Sequence, residues 1–347
     1  MASSDFYVSV IIPVYNAELW VEKAVHSALQ FEEVREVLLI EDGSPDNALE
    51  VCKKISINSP KVKLLQHSDG KNHGAEVSRN LGILNATSAY VSFLDADDFY
   101  LPTRFDRDKI IFSKNPDADG VYNAVGPYFY TKGGEKAYRK TYKQIIHSIH
   151  VNAEPKDLFP GLSSMIGHFG FIHIDGLTVK KSTLQKMDKL FLQGLFPHED
   201  TEFFIRLAYY SNLYGGETVL PVALRGVHDM NNILAIEESK EKIKLTRYRL
   251  WSTLYEWAKQ ENLSETKLNH FRLMKRSREI TTYPLTKALK ATYKEIYYDK
   301  EIFLKNIYYN NLHEYFFGGN FFSRLLLKIK NNIQTILGFP CNMKKPL

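Results

Sequence analysis

Three carboxylates, Asp95, Asp97 and Asp98, fall within four residues, directly after the apolar run Tyr90-Val91-Ser92-Phe93-Leu94. Carboxylates this crowded repel one another, which disfavours keeping all of them ionised. A bound divalent cation removes that repulsion, and hard oxygen ligands suit magnesium or manganese. A solvated acidic turn after a strand accounts for the same residues. This stretch alone leaves the two readings open.

The elements around it decide what those carboxylates face. Tyr7-Val8-Ser9-Val10-Ile11-Ile12-Pro13-Val14 is a short β-branched run ended by Pro13. From 17 to 30, apolar residues at 20, 21, 24, 25, 28 and 29 form a helical stripe. A second strand over 36–40 runs into Glu41-Asp42-Gly43-Ser44-Pro45, and Asp46 is placed to cap a helix reaching about 57. A strand over 62–66, a helix over 74–85 and a strand over 90–94 continue the alternation. Such alternation with short connections implies a parallel sheet flanked by helices. In open sheets of this kind ligands bind at the carboxyl ends of the strands. The polar clusters at 13–16, 41–44, 67–74 and 95–98 all fall at such ends, so four clusters converge on one edge. No Gly-x-Gly-x-x-Gly follows the first strand and no Gly-Lys-Ser/Thr loop occurs, which argues against a dinucleotide dehydrogenase and a P-loop NTPase.

Further on, the pattern predicts a helix over 104–113, a strand over 120–130, a turn or loop at 131–134, and a strand over 172–179 with a helix from Ser182. A helix over 201–210 follows Phe196-Pro197-His198-Glu199-Asp200, and a strand over 217–227 ends at His228-Asp229. Helical, basic and aromatic sequence then takes over, which puts a domain boundary near 235.

The chain has 347 residues, of which 44% are apolar and 24% charged, ordinary proportions for a globular protein. Cys52 and Cys341 supply neither a disulfide framework nor a zinc ligand set, and reducing, cytoplasmic conditions fit best. The N-terminus lacks the basic and apolar pattern of a signal peptide, and no apolar run approaches the roughly 20 residues of a spanning helix. From 237 to 347 there are 21 Lys+Arg against 11 Asp+Glu, a net charge of +10, whereas residues 1–236 carry −5. That asymmetry points the C-terminal third towards an anionic partner.

Over residues 7–230 the sequence resembles the inverting GT-A glycosyltransferases of family 2, of bacterial surface-polysaccharide type. The resemblance is carried, in order, by Val10-Ile11-Ile12-Pro13-Val14-Tyr15-Asn16, Glu41-Asp42-Gly43-Ser44, Ser78-Arg79-Asn80-Leu81-Gly82, Asp95-Ala96-Asp97-Asp98 and His198-Glu199-Asp200. It implies an α/β, Rossmann-like mixed and mostly parallel sheet with helices on both faces, plus a helical C-terminal extension. The catalytic domain would span 1–235, with a nucleotide-sugar half at about 1–100 and an acceptor half at about 101–235, followed by a basic region at 236–347. The implied activity is transfer of a hexosyl or N-acetylhexosaminyl group from a UDP-sugar, with Mn²⁺ or Mg²⁺, to a hydroxyl of a glycan or lipid-linked saccharide.

Residue by residue, the resemblance puts Pro13, Val14 and Tyr15 against the base and ribose. Asp42 would accept the uracil ring N–H, although Glu41 stands where the family often has Asp, and Asp42 also suits a simple Asp-Gly turn. Arg79 would pair with the acidic loop or the diphosphate. Asp95-Ala96-Asp97 matches the DXD motif, with Asp97 on the metal and Asp95 at the ribose or on the metal through water. Asp98 would support them. Asp200 would be the general base, a carboxylate that equally well caps the helix after it. His228 is a further metal candidate.

In the C-terminal third, Phe322, Leu325, Leu326, Ile329, Ile333, Ile336 and Leu337 form one apolar stripe with Arg324, Lys328 and Lys330 off it. This basic amphipathic pattern over 319–337 suits peripheral contact with the inner face of the cell membrane. Helices that oligomerise or cover the catalytic domain fit as well, and nucleic acid is disfavoured by the sugar-transfer motifs. Two rival functions are a nucleotidyltransferase acting on sugar phosphates and a nucleotide-sugar-binding protein without turnover.

Overall fold

The computed structural model describes residues 6–141, 146–149, 151, 153–229 and 240–298. The chain divides into two units, 1–239 and from Lys240 onward. The first begins with the alternation read from the sequence: β1 (Val8–Val14), α1 (Val21–Leu29), β2 (Val34–Glu41), α2 (Ala48–Asn58), β3 (Val62–Gln66), α3 (Ala75–Asn85) and β4 (Tyr90–Phe93). It continues through β5 (Phe99–Tyr100), α4 (Asp106–Lys114), β6 (Gly120–Tyr122), β7 (Val125–Phe129), α5 (Lys132–Thr141), α6 (Pro155–Leu162), β8 (Leu177–Lys180), α7 (Lys181–Leu184), α8 (Glu199–Tyr210), β9 (Leu213–Gly215) and β10 (Ala223–Val227).

Seven strands form one sheet in the order β3-β2-β1-β4-β8-β6-β9, and β5-β10-β7 form a second. β1 pairs in parallel with β2 and β4, and β2 with β3, while β8 runs antiparallel to β4 and β6. The sheet is therefore mixed and mostly parallel. β1 is buried along its whole length, as a central strand covered on both faces must be. Val8, Val10, Ile12 and Val14 share one core with α1 and α2 residues such as Val21, Val25 and Cys52. Ile11 points the other way, onto Gly82 of α3. Helices thus lie on both faces. In-register pairing of Val14 with Glu41, and of Glu41 with Gln66, brings the carboxyl ends of β1, β2 and β3 to one edge.

Several sequence expectations change here. The stretch 120–130 is two strands in different sheets. Asn123 anchors the crossing: its buried side-chain amide donates to Asp108 Oδ1 and the Gly176 carbonyl, and its Oδ1 accepts the Glu217 N–H. Residues 132–134, expected in a turn, open helix α5. Residues 174–176 form a 3₁₀ turn before β8, and 217–220 form a turn in which the Glu217 carboxylate accepts the Val219 and Leu220 N–H groups, so β10 starts only at Ala223. Helix α8 begins at Glu199, two residues before the expected start.

The second unit contains α9 (Lys240–Gln260), α10 (Glu265–Thr281) and α11 (Leu285–Tyr298). Phe271 packs edge-on to Trp257, and Leu273, Ile280 and Ala288 form a small core. Among the described residues, no helix is long and apolar enough to cross a membrane. The apolar stripe at 322–337 and the 319–337 segment lie outside the described residues.

Candidate functional site

The strand-end loops enclose a cavity of about 530 Å³. Pro13, Val14, Tyr15 and Trp20 come from the β1 end, Asp42 from β2, Asn72 and Glu76 from the segment after β3, and Asp95, Ala96 and Asp97 from the β4 end. Arg79, Phe196, Glu199 and His228 complete the wall. Eight sequence-predicted donor and metal residues, together with His228, therefore meet in one place. Asp200 sits just behind, tied to the wall through Arg79.

Asp42 is buried, and its carboxylate accepts the His73 and Gly74 N–H groups at 2.8 and 2.9 Å. It thereby fixes the loop leading into α3, and a carboxylate has lone pairs beyond those two. Neighbouring Glu41 is committed to structure, accepting the Ser44 N–H and the Gln66 side-chain amide. Tyr15, 47% exposed on the cavity wall, offers an aromatic face for a base.

Arg79 is 3% exposed and donates to Asp95 Oδ1 at 2.7 Å and to Asp200 Oδ1 at 3.1 Å. Burial on its own would lower its pKa, but the charges of Asp200, Asp95 and Glu199 outweigh that and raise it. The guanidinium is thus a permanent cation between the acidic loop and the start of α8. Asp200 is raised by burial, with Arg79 pulling the other way and Asp95 adding to the rise.

Asp97 and His228 face each other, with Oδ2 and Nε2 3.2 Å apart. His228 is held flat against Trp20, the rings 4.1 Å apart and 9° from parallel. A hard carboxylate oxygen and an imidazole nitrogen, both on the cavity wall, fit a divalent ion such as Mn²⁺. β10 brings His228 here only because Gly226 lies against the Asp97 carbonyl, where any Cβ would collide.

Behind the loop, Asp98, His173 and Asp175 are all buried, with ligand-type atoms within 4.8 Å of one another. Asp98 Oδ1 accepts the Gly226 N–H, and Asp175 Oδ1 accepts the Asp95 N–H. Burial, then the charge of nearby carboxylates, raises both acids: Asp175 to about 7 and Asp98 well above the usual range. Burial, then Arg225 and Arg79, holds His173 well below its usual value. Asp98 thereby ties the loop carrying Asp95 and Asp97 to β10, and Asp175 holds the start of that loop through the Asp95 N–H.

Sequence reasoning missed Glu199 as a site residue. It lines the cavity, its Oε2 is buried without a hydrogen-bond partner, and burial followed by the Asp200 charge pushes it up to about 7. Trp20 and Asp175 were missed as well. Trp20 reads as one position of an apolar stripe, and Asp175 carries no local signal.

Residues 9–173 match the family model described as Glycosyl transferase family 2. An uncharacterized glycosyltransferase, YibD of Escherichia coli (strain K12), is 42% identical over 107 residues, 30% of this chain and 30% of that protein. The minor teichoic acid biosynthesis protein GgaA of Bacillus subtilis (strain 168) is 28% identical over 219 residues, 60% of this chain and 44% of that protein. The chain spans about a third of the length of the first curated relatives it matches. In fold it is similar to S. aureus TarS 1-349 in complex with UDP-GlcNAc, with a TM-score of 0.55 at 14% identity, covering 89% of this chain and 80% of that one. It is also similar to the mannosyltransferase PcManGT from Pyrobaculum calidifontis in complex with GDP-Man and Mn²⁺, with a TM-score of 0.51 at 14% identity, covering 94% of this chain and 80% of that one.

Proposed function

From a chain that belongs to glycosyltransferase family 2 through residues 9–173, we propose a metal-dependent, inverting transfer of a sugar from a UDP-sugar to a hydroxyl of a glycan or lipid-linked saccharide in polysaccharide synthesis. The observation that carries this reading is one cavity lined by Asp97, His228, Arg79 and Glu199, with Asp200 bonded to Arg79 behind the wall. Its volume of about 530 Å³ suits a nucleotide-sized ligand. TarS crystallised with UDP and with UDP-GlcNAc supports a uridine donor.

In this reading Pro13, Val14 and Tyr15 hold the base and ribose, and Asp42 selects a ring N–H with its remaining lone pairs. Asp97 and His228 would hold the ion, with Asp95 nearby. When bound, Mn²⁺ or Mg²⁺ supplies Lewis-acid neutralisation of the diphosphate. Asp200 removes the proton from the acceptor hydroxyl as the sugar transfers with inversion. Its raised pKa makes it a stronger base than an ordinary carboxylate, and such catalysis is worth roughly 10²–10⁴-fold. The 319–337 stripe would bring the enzyme to the membrane face where a lipid-linked acceptor resides.

A second assignment of the base rests on Glu199, which lines the cavity itself and is pushed up to about 7. Asp200→Asn should lose transfer by roughly 10²–10⁴-fold while keeping UDP binding. If Glu199→Gln shows that pattern instead, the base is Glu199. The activity itself is tested by measuring UDP release from a panel of UDP-sugars with and without Mn²⁺. Metal-dependent release with one sugar supports it. Pyrophosphate release from a nucleoside triphosphate and a sugar phosphate, with no UDP release, would replace it with nucleotidyl transfer.

A further inference from the structure

The cavity wall is richer in carboxylates than in cations. Asp42, Glu76, Asp95, Asp97 and Glu199 line it, and Arg79 is its one lysine or arginine among the described residues. The two terminal nitrogens of Arg79 are taken by Asp95 and Asp200. Asp42 is committed to the His73 and Gly74 N–H groups, and Asp97 faces His228. Glu76 differs from them. It stands half-buried in the first turn of α3, and its carboxylate has no hydrogen bond or ion pair to a described residue. Gly74, at φ +93°, leaves room for it, since a Cβ there would meet Glu76 Oε2 at 2.7 Å. The charge of Glu76 also reaches α8, where burial above all raises Glu199 and Asp200 and Glu76 adds to the rise. An unpaired carboxylate thus stands on the wall within electrostatic reach of both candidate bases.

Resting on the reading of this cavity as a nucleotide-sugar site, we propose that Glu76 selects the transferred sugar by charge: the site takes an uncharged hexosyl or N-acetylhexosaminyl group and rejects a uronic acid. A neutral sugar offers hydroxyl or amide donors, and a carboxylate with free lone pairs accepts them. A uronic acid carries a carboxylate in place of the C6 hydroxymethyl group. It would face Glu76 and Glu199 where the one guanidinium of the wall already spans two carboxylates. Like charges brought together in this way cost binding free energy, and discrimination of this kind comes from the repulsion as well as from the attraction.

Two donor pairs that differ only at C6 test the proposal: UDP-glucose with UDP-glucuronic acid, and UDP-galactose with UDP-galacturonic acid. Calorimetry on the full chain with Mn²⁺ gives a Kd for each donor. The readout is the uronic-to-neutral ratio of Kd within one protein, so that changes in nucleotide affinity cancel. The ratio should be about tenfold in each pair, the effect of like charges about 10 Å apart near a protein surface. Glu76→Gln, which keeps the shape and removes the charge, should bring it to about threefold or less. Glu76→Asp should hold it near the wild-type value. A wild-type ratio near one would overturn the proposal. So would a tenfold ratio that Glu76→Gln leaves untouched, which would reduce Glu76 to a carboxylate stabilising the start of α3. If UDP itself fails to bind with Mn²⁺, the nucleotide-sugar reading falls and this inference with it, an outcome distinct from UDP binding without discrimination.

Discussion

Arg79 joins two carboxylates from distant parts of the chain, Asp95 at the end of β4 and Asp200 in the first turn of α8. A buried guanidinium between two acids is costly to remove, because its loss leaves like charges facing each other. Arg79→Gln should therefore destabilise the fold by roughly 3 kcal/mol, measurable by denaturant unfolding. It should also act on Asp200, the proposed base. Arg79 lowers the Asp200 pKa, so its removal raises that pKa and moves the acid limb of the pH–rate profile upward. An acid limb that stays in place would separate Asp200 from the proton transfer. Asp97→Asn should remove Mn²⁺-dependent enhancement of UDP binding in calorimetry, and unchanged enhancement would remove Asp97 from the metal. The types and order of Asp42, Arg79, Asp95 and Asp97 are legible in the sequence as motifs. The contact between Arg79 and Asp200 is not, because it depends on how α8 returns to α3 in space. Nor is Glu199 distinguishable from Asp200: successive helix residues point about 100° apart, and the sequence does not say which direction faces the cavity.

At the scale of elements, the strand–helix alternation up to β4 is readable because each central strand is mostly apolar and ends in a polar cluster. What the sequence hides are glycines that serve packing. Gly133-Gly134 has the composition of a turn, yet a Cβ on Gly134 would meet the His228 backbone at 2.9 Å, so the pair lets the start of α5 approach the end of β10. Gly226 does the same against Asp97. Gly226→Ala should cost about 1–3 kcal/mol by overpacking and weaken Mn²⁺ affinity by shifting Asp97 from His228. Wild-type stability and affinity would show that the strand yields without moving the loop. Far from the cavity, Glu36 stitches β1, β2 and β3 together: it is buried and accepts from Ser9, Thr87 and Lys63. Burial alone would raise its pKa, but those hydrogen bonds prevail and lower it to about 2. A depressed carboxylate stabilises the fold above its ordinary pKa of about 4.5, and that contribution is lost as pH falls through about 4.5 to 2. Glu36→Gln should flatten the acid side of a plot of Tm against pH over that window. An unchanged slope would place acid sensitivity elsewhere.

For the whole molecule, the change of composition near 235 and the division of contacts at 239 describe a chain whose two parts have separate cores and opposite net charge. The core around β1 draws its residues from positions between 8 and 223, and the cavity wall runs from Pro13 to His228, so both lie wholly within the first unit. Each described hydrogen bond that holds Asp42, Asp95, Asp98 and Arg79 likewise closes before residue 240. From this it follows that residues 1–239 alone should fold, unfold in one cooperative transition, and bind UDP with Mn²⁺ within about threefold of the full chain, a difference below about 1 kcal/mol. The fragment should also fail to float with anionic vesicles, since it carries a net negative charge and lacks the basic 319–337 stripe. Insoluble or non-binding fragment would show that the second unit completes the first. A fragment that binds UDP and still floats would move the lipid contact onto the catalytic unit itself.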